Sequence, residues 1–198
     1  MLWRVMTGVV CAVGCIAVTG LNAAAQQRSA NYDRRVAGND PVAHFFGFGG
    51  GSPVGRTAVV FPANHPPGTI LIRTRERRLY LMLGNGQALS YGIGVGRDGF
   101  GWSGIMRISA KREWPAWTPP AQMLRRRPDL PRYMPGGPDN PLGARALYLG
   151  SSLYRIHGSN EPETIGQAVS SGCFRLTNAD VIDLYDRVRV GATVIVQQ

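Results

Sequence analysis

At 198 residues, 44% of them apolar, the chain is long enough for one domain with a proper core plus a tail, and too short for two substantial domains. Its formal charge of +10 comes from 22 basic against 12 acidic residues, with Lys111 the only lysine. That balance suits anionic surroundings or a solvated basic face, but the Arg-rich runs at 73–78 and 125–127 lack the interleaved aromatics of a single-strand nucleic-acid binder.

The N-terminus carries Arg4, an apolar run over 9–21, and Ala23-Ala24-Ala25 before Gln26. A charged start, an apolar centre and a small-residue cleavage site predict an export signal over 1–25. The apolar run falls short of the ~20 residues that span a bilayer, so no stable membrane insertion is expected once the signal is cut. Export places the protein in the cell envelope, periplasmic in a two-membrane cell, and argues against a nucleic-acid partner. Cleavage also removes Cys11 and Cys15 and leaves Cys173 alone, as a reactive thiol, an intermolecular bridge or an inert buried residue.

Residues 26–67 are rich in Gly and Pro without periodicity, and read as an irregular lead-in. His44 and His65 lie there without partners at metal-ligand spacing, so no metal is expected. From 69 the pattern turns to short β segments at 69–74, 79–83 and 88–94. The second and third are joined by Gly84-Asn85-Gly86-Gln87, the chemistry of a tight hairpin, because both central residues must tolerate positive φ. Gly92-x-Gly94-x-Gly96 is no nucleotide loop, since more glycines and a strand-like 105–109 follow where a helix would have to begin.

Residues 110–144 look too broken for regular elements, and a long irregular loop of this kind is commonly functional. Trp114 and Trp117 within it are candidates for a lid over a substrate cleft, or equally for aromatics that plug the edge of the core. Two more strands follow at 145–150 and 153–156, which brings His157 out at a strand end, a rigid mount for a catalytic base. A helical turn is expected at 165–169. Thr177-x-x-Asp180 resembles a capping box, and Val181, Leu184, Tyr185 and Val188 recur at helical spacing, so a C-terminal helix of about three turns is predicted before Gly191 and a last strand. Many short strands and few helices predict a mainly β fold, sandwich-like mixed sheets with the C-terminal helix packed on the core.

Chemistry concentrates in 156–178, IHGSNEPETIGQAVSSGCFRLTN, where a thiol, an imidazole and a guanidinium share one short segment. A cysteine attacks as thiolate, and a neighbouring imidazole can take its proton. His157-Gly158-Ser159, then Ser170-Ser171-Gly172-Cys173-Phe174-Arg175, then Asn178 and Asp180 resemble the signature of the L,D-transpeptidase catalytic domain family (YkuD type, ErfK/SrfK-like). Residue types, chain order and the His-to-Cys spacing match together, and the likeness extends over about residues 68–197. Papain-like peptidases place Cys before His, and sortases separate the two more widely.

The resemblance implies a catalytic domain over 68–198 with a β-sandwich of mixed sheets. It implies Cys173 as nucleophile and His157 as general base, with the Gly158 carbonyl orienting the ring. Gly172 and Cys173 would supply oxyanion-hole N–H groups, and Ser171 stands where several members have a second histidine, so either His157 suffices or Ser171 helps by donating to the substrate. Arg175 would bind a substrate carboxylate or steady the thiolate; the plain alternative is an ion pair with Asp180 or Asp183. Asn178 and Asp180 are read as helix capping first. The implied reaction takes a peptidoglycan stem tetrapeptide, forms a thioester, and passes the acyl group to an amine on another stem, giving a 3-3 cross-link, or on a wall-anchored lipoprotein. No cofactor is needed. The rival readings are a thiol hydrolase of the wall or lipoprotein linkages, and a non-catalytic cationic wall-binding protein.

Overall fold

The structure, a computed structural model, describes residues 54–62 and 64–198. The expected export signal and residues 26–53 of the lead-in lie outside the described residues. The elements in chain order are β1 (Thr57–Val60), β2 (Ile70–Arg73), β3 (Arg78–Gly84), β4 (Gln87–Gly92), β5 (Val95–Gly96), β6 (Gly104–Glu113), α1 (Ala121–Arg126), β7 (Arg145–Leu149), β8 (Arg155–His157), β9 (Ala168–Ser170), β10 (Phe174–Arg175), α2 (Asn178–Arg187) and β11 (Thr193–Gln197).

Nine strands form one mixed sheet in the order β1-β4-β3-β2-β11-β6-β7-β8-β10, while β5 and β9 form a small parallel pair. The long strand β6 joins two halves: Gly104 to Arg107 pair with β11, and after a register shift near Ile108 the strand continues against β7. An irregularity of this kind bends a strand and increases its twist, so the sheet curls around one core. Ile70, Ile72, Leu79, Leu81 and Val194 from one half meet Leu147, Leu149, Ile156 and Phe174 from the other, with Val181 and Leu184 of α2 and Val188 just after it packed among them. The mainly β fold with a packed C-terminal helix is therefore as the sequence predicts.

The β3–β4 hairpin turns at Asn85 and Gly86, with φ of 51° and 70°, as an Asn-Gly turn requires. Helix α2 starts on Thr177, whose hydroxyl accepts the Asp180 N–H at 3.2 Å, one half of a capping box. Its outer side is tied down by Asp183, which accepts from the Tyr91 hydroxyl at 2.7 Å and pairs with Arg56 at 3.2 Å and Arg187 at 2.9 Å.

Three expectations are corrected. Within the lead-in, Thr57–Val60 is a strand, because it lies antiparallel along the open edge of β4; its order comes from that partner and not from local pattern. Residues 165–169 are not a helical turn: a 3₁₀ turn covers Pro162–Thr164, and Ala168–Ser170 is β9, drawn into extension by pairing with β5. The broken stretch 110–144 contains the end of β6 and the short helix α1, which buries no residue and so shows no apolar stripe.

Candidate active site

Strands β8 and β10 run parallel, with Ile156 opposite Phe174 and His157 opposite Arg175. Ile156 and Phe174 are fully buried in the core, and strand side chains alternate between faces. Arg155, His157, Cys173 and Arg175 therefore project to the other side. Cys173 directly precedes β10, diagonal to His157 across the strand pair. Both residues feel the same two guanidinia, Arg155 and Arg175, so thiol and imidazole share one electrostatic environment.

His157 is 4% exposed. Its Nδ1 lies 2.6 Å from the Gly158 carbonyl oxygen. A carbonyl can only accept, so Nδ1 carries the proton and Nε2 keeps its lone pair. Burial first, and the Arg175 charge second, push the imidazole pKa down to about 3, against a smaller opposing pull from the Gly158 and Leu142 backbones. The Cys173 side chain keeps part of its surface in solvent, yet enough protein surrounds the sulfur that burial raises the thiol pKa, with Arg155 and Arg175 working against the rise. Its Sγ–H points to the Leu153 carbonyl at 3.7 Å, a carbonyl that also accepts from Arg155 Nη1 at 3.3 Å. The resting site is thus a neutral thiol and a neutral imidazole. To pass its proton to His157 Nε2, the sulfur must turn from Leu153.

The flank of the histidine is built from the end of the long loop. Asn178 Oδ1 accepts the Ala144 N–H at 2.8 Å, and the Arg145 carbonyl accepts the Gly158 N–H at 3.0 Å. Gly143 and Gly158 pass so close to Asn178 Oδ1 that a Cβ on either would overlap it. Asn178 is therefore a brace between the loop and the histidine strand as well as the first residue of α2. Trp114 and Trp117 belong to this loop: the Trp114 N–H reaches the Ala144 carbonyl at 2.8 Å, and Trp117 exchanges two 2.8 Å backbone bonds with Met134.

Around the cysteine, Ser170 Oγ accepts the Gly172 N–H at 3.1 Å and donates to the Cys173 carbonyl at 2.6 Å. Of the two N–H groups expected to serve as oxyanion donors, that of Gly172 is thus committed to Ser170. Ser171 is half-buried between these pinned residues. Arg175 does not pair with Asp180 or Asp183; its Nη1 donates to Glu161 at 3.0 Å, and those two aspartates face Arg56. Glu161 comes from the loop after His157, which brings its carboxylate over β10.

Sequence reasoning brought Cys173, His157, Gly158, Gly172, Ser171 and Arg175 to one place. It missed Arg155, Ser170 and Trp102. Arg155 stands two residues before His157, and the strand period alone would have put it on the same face. The indole N–H of Trp102 donates to the Gly172 carbonyl at 2.9 Å, a contact spanning 70 residues that no local pattern announces.

The profile of the YkuD family, L,D-transpeptidase catalytic domain, matches residues 67–196. Among curated proteins, the chain is 39% identical over 134 residues to "Probable L,D-transpeptidase ErfK/SrfK" of Escherichia coli strain K12, covering 63% of this chain and 42% of that one. It is 40% identical over 134 residues to "Probable L,D-transpeptidase YbiS" of the same strain, covering 63% and 43%. The chain thus spans about two fifths of the length of these relatives. Among solved structures, an L,D-transpeptidase from Mycobacterium smegmatis superposes with a TM-score of 0.54 at 17% identity, over 66% of this chain and 58% of that one. L,D-transpeptidase 3 from Mycobacterium tuberculosis superposes with a TM-score of 0.51 at 15% identity, over 66% and 60%. At those identities the likeness concerns the fold.

Proposed function

This chain belongs to the L,D-transpeptidase catalytic domain family, and we propose that it is an exported cysteine acyltransferase acting on peptidoglycan stem peptides in the cell envelope. The observation that carries the reading is the imidazole of His157, held by the Gly158 carbonyl at 2.6 Å, on the strand that pairs with the one Cys173 leads into. The ring is neutral and its proton is placed on Nδ1, so Nε2 is free to accept.

In the first half-reaction the Cys173 proton passes to His157 Nε2 while Sγ attacks the carbonyl at the L-centre of the stem's diamino acid. The C–N bond to the terminal D-Ala breaks, the departing amine takes the proton from His157, and a thioester remains. In the second half-reaction an acceptor amine gives its proton to His157, its nitrogen bonds the acyl carbon, and the C–S bond breaks with return of the proton to sulfur. Covalent catalysis divides one difficult exchange into two easier ones. The acceptor is an amine of a second stem or of a wall-anchored lipoprotein, and water in its place would make the same site a hydrolase. Arg175, mostly buried and paired with the half-exposed Glu161, would exchange that partner for a substrate carboxylate. Trp114 and Trp117, on the loop that abuts the histidine, are assigned to the groove wall. Residues 1–25 are assigned to an export signal, 26–67 to a lead-in and 68–198 to the catalytic domain; among the described residues no helix is long and apolar enough to cross a membrane.

Intact-protein mass spectrometry with a carbapenem tests the nucleophile. A single adduct that vanishes in Cys173→Ala supports it; an unmodified wild-type protein refutes it and leaves a wall-binding role. Muropeptide analysis with and without added amine then separates transfer from hydrolysis.

A further inference from the structure

Only one of the two expected oxyanion donors is free to act. The Gly172 N–H is spent on Ser170 Oγ, whereas the Cys173 N–H has no hydrogen-bond partner among the described residues. The direction of that N–H is set by the peptide plane between Gly172 and Cys173. In a trans peptide the C=O and the following N–H point opposite ways, so whatever holds the Gly172 oxygen aims the Cys173 N–H.

The Gly172 oxygen is held by the indole N–H of Trp102 at 2.9 Å. The indole is itself fixed, stacked on Tyr154 with centroids 4.6 Å apart and planes 14° from parallel, and leaning on Phe174 at 5.6 Å. Gly172 needs this support because it has φ of 102°, where glycine alone is at ease and a flanking peptide plane turns readily. No side chain can replace the constraint, since a Cβ on Gly172 would stand 2.7 Å from Tyr154 Cε1 and 3.2 Å from the Phe100 carbonyl oxygen. The following peptide is pinned separately, by Ser170 Oγ on the Cys173 carbonyl at 2.6 Å.

We propose that Trp102 is a positioning residue for acyl transfer: by binding the Gly172 carbonyl it turns the Cys173 N–H toward the oxyanion that forms when Cys173 attacks. The proposal rests on the acyl-transfer reading above. It separates two reactions of the same sulfur. Acylation by a carbapenem passes through a tetrahedral oxyanion, with the C–S bond forming and the lactam C–N bond then breaking. Alkylation by iodoacetamide displaces iodide at a saturated carbon and forms no oxyanion.

The test is Trp102→Phe, which keeps a ring in the stack and deletes the donor, with both rates measured under pseudo-first-order conditions. An oxyanion donor misdirected rather than lost forfeits part of the roughly hundred- to thousandfold that its removal would cost, so acylation should slow by about ten- to a hundredfold, with alkylation changed by less than about twofold and carbapenem affinity before acylation unchanged. Parallel loss of both rates, or no loss of either, overturns the proposal. If circular dichroism shows Trp102→Phe unfolded, replacing Trp102 by benzothienylalanine removes the N–H with almost no change of shape, and the same two rates decide. A wild-type protein that is alkylated but never acylated refutes the proposed function itself, and the role of Trp102 falls with it.

Discussion

Gly158→Ala probes the joint between the long loop, α2 and the end of β8. The added methyl would overlap Asn178 Oδ1 and stand 3.1 Å from both Ala144 N and Val181 Cγ1, all buried. Backbone and core give little, so the Asn178 side chain must move, which releases the Ala144 N–H it accepts at 2.8 Å. Overpacking of a core costs about 1–3 kcal/mol, and an unpaired buried donor a similar amount. A loss of about 2–4 kcal/mol and a melting point lower by roughly 10 °C are expected. The assay is urea unfolding of Gly158→Ala, Asn178→Ala and the double variant. Truncating Asn178 opens the space the methyl needs, so the double variant should be less destabilised than the sum of the singles, by about 1–2 kcal/mol. Additive losses would show that Asn178 is not what excludes a side chain at Gly158. Carbapenem acylation should fall with Gly158→Ala as well, because the carbonyl that holds the His157 ring belongs to the displaced residue.

Iodoacetamide labelling of Cys173 should rise through an inflection above the ~8.5 of an ordinary thiol, since burial raises the Cys173 pKa; an inflection at acid pH would mean a preformed ion pair and overturn the neutral resting state. Arg155→Met removes a charge that favours the thiolate, so its inflection should lie higher still, and an unmoved profile would exclude Arg155 from the environment of the sulfur. Tyr91→Phe deletes the 2.7 Å bond to Asp183; chemical denaturation should show a loss of about 1–2 kcal/mol, with acylation of the folded fraction unchanged. A change in that acylation would mean that the docking of α2 reaches the site.

The hairpin and the C-terminal helix were legible because their information is local. Asn85-Gly86 permits a turn with two positive φ values, and Thr177 supplies its own cap to the Asp180 N–H. Strand β1 was hidden because four residues become a strand only when β4 offers its edge, and β9 looked helical because its extension is imposed by β5, over 70 residues earlier in the chain. Helix α1 gave no periodic signal, since it buries no side chain. The same division runs through the site. Cys173 and His157 stand out by type and spacing, whereas Arg155 acquires meaning from strand register, Ser170 from a turn closed by its own hydroxyl, and Trp102 from a long-range contact. A short sequence segment shows its own residue types, but not the partners that the fold brings to them.

Arg175 bears on the least obvious property of the site, the depressed pKa of His157. Each guanidinium that favours the Cys173 thiolate disfavours the His157 imidazolium, so for proton transfer within the pair the two effects largely cancel. What remains is a preference for negative charge, which Glu161 meets at 3.0 Å from Arg175. A carboxylate that took the place of Glu161 would leave the Arg175 charge countered as it already is, so only removal of that charge lifts the second-largest influence holding His157 down. Arg175→Gln isolates this coupling. The folded pKa of His157 lies at about 3, below the ordinary value of 6.5. As pH falls through that interval the unfolded chain binds a proton that the folded chain refuses, and stability drops by about 1.4 kcal/mol per pH unit. With the charge gone, the His157 ring should titrate at a higher pH by NMR, though still below 6.5 because burial, the larger cause, is untouched. The stretch of acid-induced destabilisation owed to His157 should then end at a correspondingly higher pH. A ring that titrates at the same pH or lower in Arg175→Gln would break the electrostatic link between Arg175 and His157.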